Sequence, residues 1–203
     1  MSSIVYQICV SGAASGESVE ASHHLAFKLG QEIALSGHTT LTGATIGLPH
    51  YAAMGATKEK GLSIGFSPAR SHREHIKAYK LPIKEFNYIN FTGMAYVGRD
   101  VHLVRSSDAV ITIGGRMGSL HEFSTAVESN KVCGVLLGSG GLADFIPTLI
   151  ANIDTPHADK IIYDTDPSRL VKQVIEMLDK KFAEGNVDVD IPTPYVAAKN
   201  RRG

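Results

Sequence analysis

The sequence predicts an α/β protein, a single Rossmann-like domain built on a doubly wound, mostly parallel sheet. Short runs of branched apolar residues alternate with segments of helical periodicity along nearly the whole 203-residue chain. Several of those runs end in turns of small residues, at 11–16, 43–49 and 114–119. Parallel strands require crossovers, and helical crossovers are right-handed, so the alternation implies a sheet covered on both faces. No internal repeat or low-complexity tract competes with this assignment.

Ile4 to Val10 is a branched run closed by Ser11-Gly12-Ala13-Ala14-Ser15-Gly16, as suits a buried parallel strand. A helix follows over Val19 to Ser36, where Leu25, Leu29 and Ile33 recur at helical spacing beside Ala21 and Ala26, and Gly37 supplies the stop. Thr39 to Leu41 is the second strand. Thr42 to Pro49 forms a second glycine-bearing turn, and Tyr51 to Glu59 a helix whose alanines permit close packing on a sheet. Leu62 to Phe66 is the third strand. From Ser67 to Pro82 the chain carries Arg70, His72, Arg73, His75, Lys77 and Lys80 on a polar background, which predicts an exposed excursion.

Phe86 to Phe91 is the fourth strand and Gly93 to Arg105 a helix. Asp108 to Ile113 is a strand running straight into Gly114-Gly115-Arg116-Met117-Gly118-Ser119. Leu120, Phe123 and Val127 mark the stripe of the next helix, followed by a strand over Val132 to Leu137 and a helix over Leu142 to Ile153. Lys160 to Tyr163 is the last strand, and Pro167 to Phe182 the last helix, with proline in its first turn. The domain is predicted over 1–183, and 184–203, with its Gly, Asn, Asp and Pro content, is predicted to be a polar tail.

Composition narrows the function. Hydrophobic residues make up 43% of the chain, and 20 Lys and Arg balance 20 Asp and Glu. That neutrality removes the broad basic field of proteins that hold nucleic acid by its phosphates, so nucleic acid is not the expected partner, although Arg70, Arg73, Lys77, Lys80 and Lys84 make a local patch. Cys9 and Cys133 each sit in an apolar run, which argues for buried thiols in a reducing compartment rather than a disulfide or zinc framework. Met1-Ser2-Ser3-Ile4 opens no basic and apolar leader, and the longest apolar runs fall well short of the roughly 20 residues that span a bilayer, so a cytoplasmic protein without a membrane segment is expected.

In open α/β sheets ligands sit beyond the carboxyl ends of the strands at the switch point, so the three small-residue turns are expected to converge on one crevice. The window from Arg99 to Glu122, RDVHLVRSSDAVITIGGRMGSLHE, is the most informative. It delivers a strand into a glycine turn and then a helix, whose free N–H groups and positive dipole end make a ready anion site. Gly114, Gly115 and Gly118 admit close backbone approach, and Ser119 adds a hydroxyl. Glu122 lies in the first turn off the 120/123/127 stripe and can face the crevice mouth; its ordinary alternative is a helix-dipole carboxylate. Arg99 lies off the apolar line of Met94, Val97, Val101 and Val104 and can reach a substrate or Glu122; its ordinary alternative is a solvated surface cation. The histidines, His23, His24, His50, His102 and His121 among them, show no metal-ligand spacing, so no metal is expected. His121 is a candidate proton donor at the crevice, but its neighbour Glu122 projects about 100° away on a helix.

This window resembles the LOG family, also termed lysine-decarboxylase-like, within the SLOG superfamily of Rossmann-like nucleotide-binding proteins. Its hallmark is PGGxGTxxE with an arginine on the upstream helix. Here Gly114 stands at the proline place, Gly115 at the first glycine, Arg116 at the second, Met117 at the variable place, Gly118 at the third glycine, Ser119 at the threonine and Glu122 at the glutamate, with Arg99 on the family's arginine. More loosely the likeness extends over about 180 residues, through Ser11-Gly12 and Thr42-Gly43-Ala44, where relatives place small residues beside the nucleotide.

The resemblance implies a cytokinin-riboside-type 5′-monophosphate phosphoribohydrolase, which releases free base and ribose 5-phosphate with Arg99 and Glu122 as the catalytic pair. It also implies a homodimer or larger homo-oligomer, and a nucleotide bound by Ser11, Gly12, Gly43, Ala44 and the 114–119 turn. No pyridoxal-lysine context accompanies the window, so no cofactor is expected. Cleaving an N-glycosidic bond passes through an oxocarbenium-like state that a carboxylate can stabilise, attack or serve by activating water. Arg116 departs from the pattern, replacing a glycine where close approach is expected, and either reshapes the turn or adds an anion contact. A second reading is therefore a non-catalytic nucleotide sensor or carrier of the same superfamily, in which the 67–82 segment is a lid or partner surface.

Overall fold

A computed structural model describes residues 4–155 and 157–184, and the predicted tail from 185 onward lies outside them. Strands β1 (Gln7–Gly12), β2 (Thr39–Thr42), β3 (Ser63–Ser67), β4 (Tyr88–Phe91), β5 (Ala109–Ile113), β6 (Val132–Leu136) and β7 (Ile161–Asp164) form one sheet in the order β4-β3-β2-β1-β5-β6-β7. Every pairing is parallel. Helices α1 (Glu17–Leu35), α2 (Leu48–Lys58), α3 (His72–Lys77), α4 (Ala95–Arg105), α5 (Met117–Glu128), α6 (Gly141–Asn152) and α7 (Pro167–Ala183) make the crossovers. The predicted doubly wound Rossmann-like architecture is the one observed. Among the described residues no helix is long and apolar enough to cross a membrane.

Side-chain alternation along the strands divides the core in two. Ile8 and Val10 of β1, with Ile111 and Ile113 of β5, point toward α1, α2 and α7, where Leu29, Ile33, Leu48, Leu170 and Val174 complete one cluster. Cys9 of β1 and Val110 of β5 point the other way, toward Leu103, Phe123 and Ile146 of α4, α5 and α6. Both cysteines are free and buried, as their apolar surroundings predict. On the first face α1 and α2 cross without intervening side chains: a Cβ on Gly30 would overlap the Ala52 carbonyl, and one on Gly55 that of Phe27.

Tertiary contacts move three boundaries from their predicted places. β1 runs on through Ser11 and Gly12 because these pair with Thr112 and Ile113 of β5. α2 starts at Leu48, with Pro49 in its first turn where a missing N–H costs nothing. The 67–82 stretch is largely exposed, as predicted, but it is pinned at its ends by a buried histidine. His75 Nδ1 accepts from the Ser67 hydroxyl at 2.8 Å and its Nε2 donates to the Pro82 carbonyl at 2.8 Å, satisfying both ring nitrogens away from water. Ser71 caps α3 by accepting from the Glu74 N–H, and His75 is the buried residue of that helix.

Candidate functional site

The strand order reverses at β1, which has β2 on one side and β5 on the other. Their carboxyl ends lie side by side, Gly12 opposite Ile113, so the turns after β1, β2 and β5 meet above the sheet. A cleft of about 210 Å³ opens there, and Gly12, Gly43, Arg99, Arg116, Ser119 and Glu122 are among the residues that line it. The three turns predicted to converge do converge.

α4 carries Arg99 into the cleft floor, where it is 4% exposed. Its Nε lies 3.3 Å from the Asp100 carboxylate, and neither Nε nor Nη1 has a hydrogen-bond partner among the described residues. Buried guanidinium donors left unspent are costly, and in a cleft they are open to a ligand's oxygens. Gly43 makes room for them: a Cβ there would fall on Arg99 Nη1. The first half of the helix turns the opposite way from the apolar-line prediction. Of that line only Val104 is buried; Met94, Val97 and Val101 are exposed, and Arg99, Asp100 and Leu103 join Val104 on the buried face.

Glu122 is also deeper than predicted. It belongs to the buried face of α5 with Ser119, Phe123 and Ala126, and it lies on the cleft floor rather than at the mouth. Ser11, on the side of β1 that faces α5, donates its hydroxyl to Glu122 Oε2. Burial pushes the Glu122 carboxyl up to about 7, Arg99 and the Ser11 hydrogen bond pull against it, and the Asp100 carboxyl adds to the rise. Asp100, which the sequence reading passes over, lines the cleft and also accepts from Nδ1 of His121 at 3.1 Å. The 100° offset between His121 and Glu122 is thus bridged by Asp100, one helix away. Tyr96 is a second unforeseen wall residue, 47% exposed at the rim and in edge contact with Tyr79.

The 114–119 turn divides into two parts. Gly114 and Gly115 pack behind the cleft. The Gly114 N–H donates to Ser139 Oγ at 2.8 Å, and both carbonyls accept from the start of α6, from Leu142 and Ala143 N–H. Arg116, Gly118 and Ser119 face the ligand space. Arg116 reaches across the mouth and donates to Ser15 Oγ at 3.0 Å, tying the α5 entry to the turn after β1. Among the described residues no side chain caps α5, and Glu122, expected in its first turn, stands in its second because the helix starts at Met117, so its positive end is open to an anion. Ala44 is buried beside Gly43 without lining the cleft, and Met117 points out to solvent, 76% exposed. Among the described residues no three His, Cys, Asp or Glu side chains gather as around a metal ion.

A parallel sheet with a buried arginine and carboxylate at its switch point defines a Rossmann-like α/β protein with a ligand cleft beyond its strand ends. More particularly, the chain belongs to the SLOG cluster4 family, whose model matches residues 5–171. An uncharacterized protein of Archaeoglobus fulgidus is 31% identical over 125 residues, 62% of this chain and 76% of that one. The X-ray structure of TM1055 superposes with a TM-score of 0.74 at 21% identity, covering 85% of this chain and 99% of that one. The molybdenum cofactor binding protein of Rippkaea orientalis superposes with a TM-score of 0.68 at 25% identity, covering 87% of this chain and 99% of that one.

Proposed function

We propose that this protein is a nucleoside 5′-monophosphate phosphoribohydrolase, cleaving the N-glycosidic bond to give free base and ribose 5-phosphate. One observation carries the reading: a buried arginine with unspent donors shares a cleft with a carboxyl raised to about 7, next to an uncapped helix start. The 5′-phosphate takes the α5 entry, held by the N–H groups of its first turn, the Ser119 hydroxyl and the Arg116 guanidinium. Arg99 directs its free donors to the sugar hydroxyls. Glu122 serves the cationic sugar that forms as the base departs, and distant binding of the phosphate fixes the sugar against it. The Tyr96 ring at the rim offers the base a stacking surface.

The enzyme is proposed to act as a homodimer. Met94, Val97 and Val101 expose an apolar face of α4 beside the cleft, and a second copy would take it from water.

A non-catalytic nucleotide-type carrier is the second reading, favoured by the likeness to a cofactor binding protein and by Arg116 in the turn. Turnover separates the two. Incubation with a panel of nucleoside 5′-monophosphates, with free base resolved by chromatography and Glu122→Ala alongside, is expected to show release by the wild type alone. Nucleotides that raise the melting temperature without releasing base would overturn the hydrolase and leave the carrier.

A further inference from the structure

Asp100 is 5% exposed and Glu122 8% exposed, and both line the cleft that Arg99 enters. Two carboxyls and one buried guanidinium therefore share a space largely closed to water. One positive charge cannot balance two negative ones there, and a desolvated carboxyl without a full counter-charge takes up a proton. The partners decide which carboxyl does so. Asp100 has a cation or a donor on each oxygen, Arg99 Nε at 3.3 Å from Oδ1 and His121 Nδ1 at 3.1 Å from Oδ2. Glu122 has the neutral Ser11 hydroxyl from β1, with the buried Cys9 thiol behind it on the same strand. From α5 the pair meets His121, whose side chain is 37% exposed and reaches solvent; Arg116, at the entry to α5, lines the same cleft but holds its guanidinium at the exposed mouth, on the Ser15 hydroxyl. The unspent Arg99 Nη1, buried and admitted by Gly43, marks the same spot as a ligand site.

We propose that Asp100 and Glu122 form an acid–carboxylate pair holding one proton, with the proton on Glu122, Asp100 ionised, and His121 a positioning residue that keeps Asp100 in its charged form. The chemistry of the pair rests on the hydrolase reading above; the sharing of a proton does not. In hydrolysis the C1′–N bond breaks, its electrons pass to the base nitrogen, and that nitrogen takes the proton of Glu122. The water oxygen bonds to C1′ and yields its proton to Asp100. Transfer of that proton from Asp100 to Glu122 restores the pair, so no proton is gained or lost over the cycle.

The test combines a carboxyl ¹³C NMR titration of the free protein with the pH profile of base release from adenosine monophosphate, for wild type, Asp100→Asn and His121→Gln. Glu122 is expected to titrate close to neutrality in the wild type and at least about one pH unit lower in Asp100→Asn, where the neighbouring negative charge is gone. Base release should fall about 100-fold or more in Asp100→Asn, with the affinity for adenosine monophosphate within about tenfold of wild type. In His121→Gln the fall should be smaller and the pH optimum should move. A Glu122 titration unmoved by Asp100→Asn, or an Asp100→Asn enzyme with the wild-type rate and pH profile, would overturn the pair. A wild type that releases no base sinks the hydrolase reading, and the titration alone then decides the pair. If Asp100→Asn does not fold, Asp100→Glu takes its place: the restored carboxyl should hold the Glu122 titration near neutrality, and a Glu122 that titrates as an ordinary glutamate in it would refute the proposal.

Discussion

Replacing Glu122 by glutamine removes one titrating group while keeping its shape, and the structure sets the size of the result. The carboxyl moves from 4.5 to about 7 on folding, chiefly because it leaves water. At about 1.4 kcal/mol per decade of proton affinity, that difference corresponds to about 3 kcal/mol. The sign follows from a folded value above the unfolded one. The native state holds the proton more tightly, so its stabilising contribution is complete below about 4.5 and is lost as pH rises through about 7. Glutamine stays neutral throughout. Any fixed cost of the substitution, such as an altered bond to Ser11, is the same at every pH and cancels from the trend. Urea unfolding of both proteins between pH 5 and 8.5 should therefore show the glutamine variant gaining on the wild type by about 3 kcal/mol, or roughly 1–3 M in midpoint difference. A stability difference that stays flat across that range would refute the reasoning, because it would mean that Glu122 is ionised in the folded protein at every pH.

Gly43→Ala should leave the fold standing, since the new Cβ collides with the mobile end of Arg99 rather than with backbone, but the guanidinium must leave its place. Losing charged hydrogen bonds of about 1.5–3 kcal/mol, the variant should bind adenosine monophosphate at least about tenfold more weakly in calorimetry, and unchanged affinity would remove Arg99 from the ligand site. Tyr96→Ala should weaken nucleotide binding by about 1–3 kcal/mol and ribose 5-phosphate binding hardly at all; equal losses for both would show that the ring does not stack on the base. Val97→Glu places a charge in the exposed α4 face and should convert a dimer to a monomer by light scattering, whereas a wild type already monomeric at micromolar concentration would end the homodimer reading.

The fold was legible in the sequence because buried parallel strands leave continuous branched runs such as Ala109 to Ile113, and because glycine turns mark where those runs end. Element ends were less legible, for a physical reason that β1 illustrates. Ser11 and Gly12 have weak strand preferences of their own and are strand only because β5 lies beside them, information that no local window contains. His75 is a similar case: it sits in a polar run, and only the distant Ser67 hydroxyl and Pro82 carbonyl explain its burial. The convergence of the three small-residue turns was legible, since topology alone brings them together. The split of the 114–119 turn was not, because Ser139, Leu142 and Ala143 take up its first two residues from another loop.

α4 shows most directly how a site can mislead a periodicity argument. An apolar line at helical spacing normally marks the face toward the core, and Met94, Val97, Val101 and Val104 have that spacing. In the folded protein the line is outside except at Val104, and Arg99 and Asp100 are inside. Burying those two charges runs against desolvation, and exposing three apolar side chains adds to the cost, so packing alone would rotate the helix the other way. Two things hold it. Leu103 and Val104 still anchor the second half of α4 in the core, and the hydrogen bond that Asp100 accepts from His121 Nδ1 ties the middle of the helix to α5. A ligand that accepts from Arg99 Nη1 would satisfy the donor left over, and a second copy would cover the apolar line. The inverted helix thus couples the two parts of the proposal: the orientation that readies Arg99 and Asp100 for a ligand is the one that presents the apolar face to a partner.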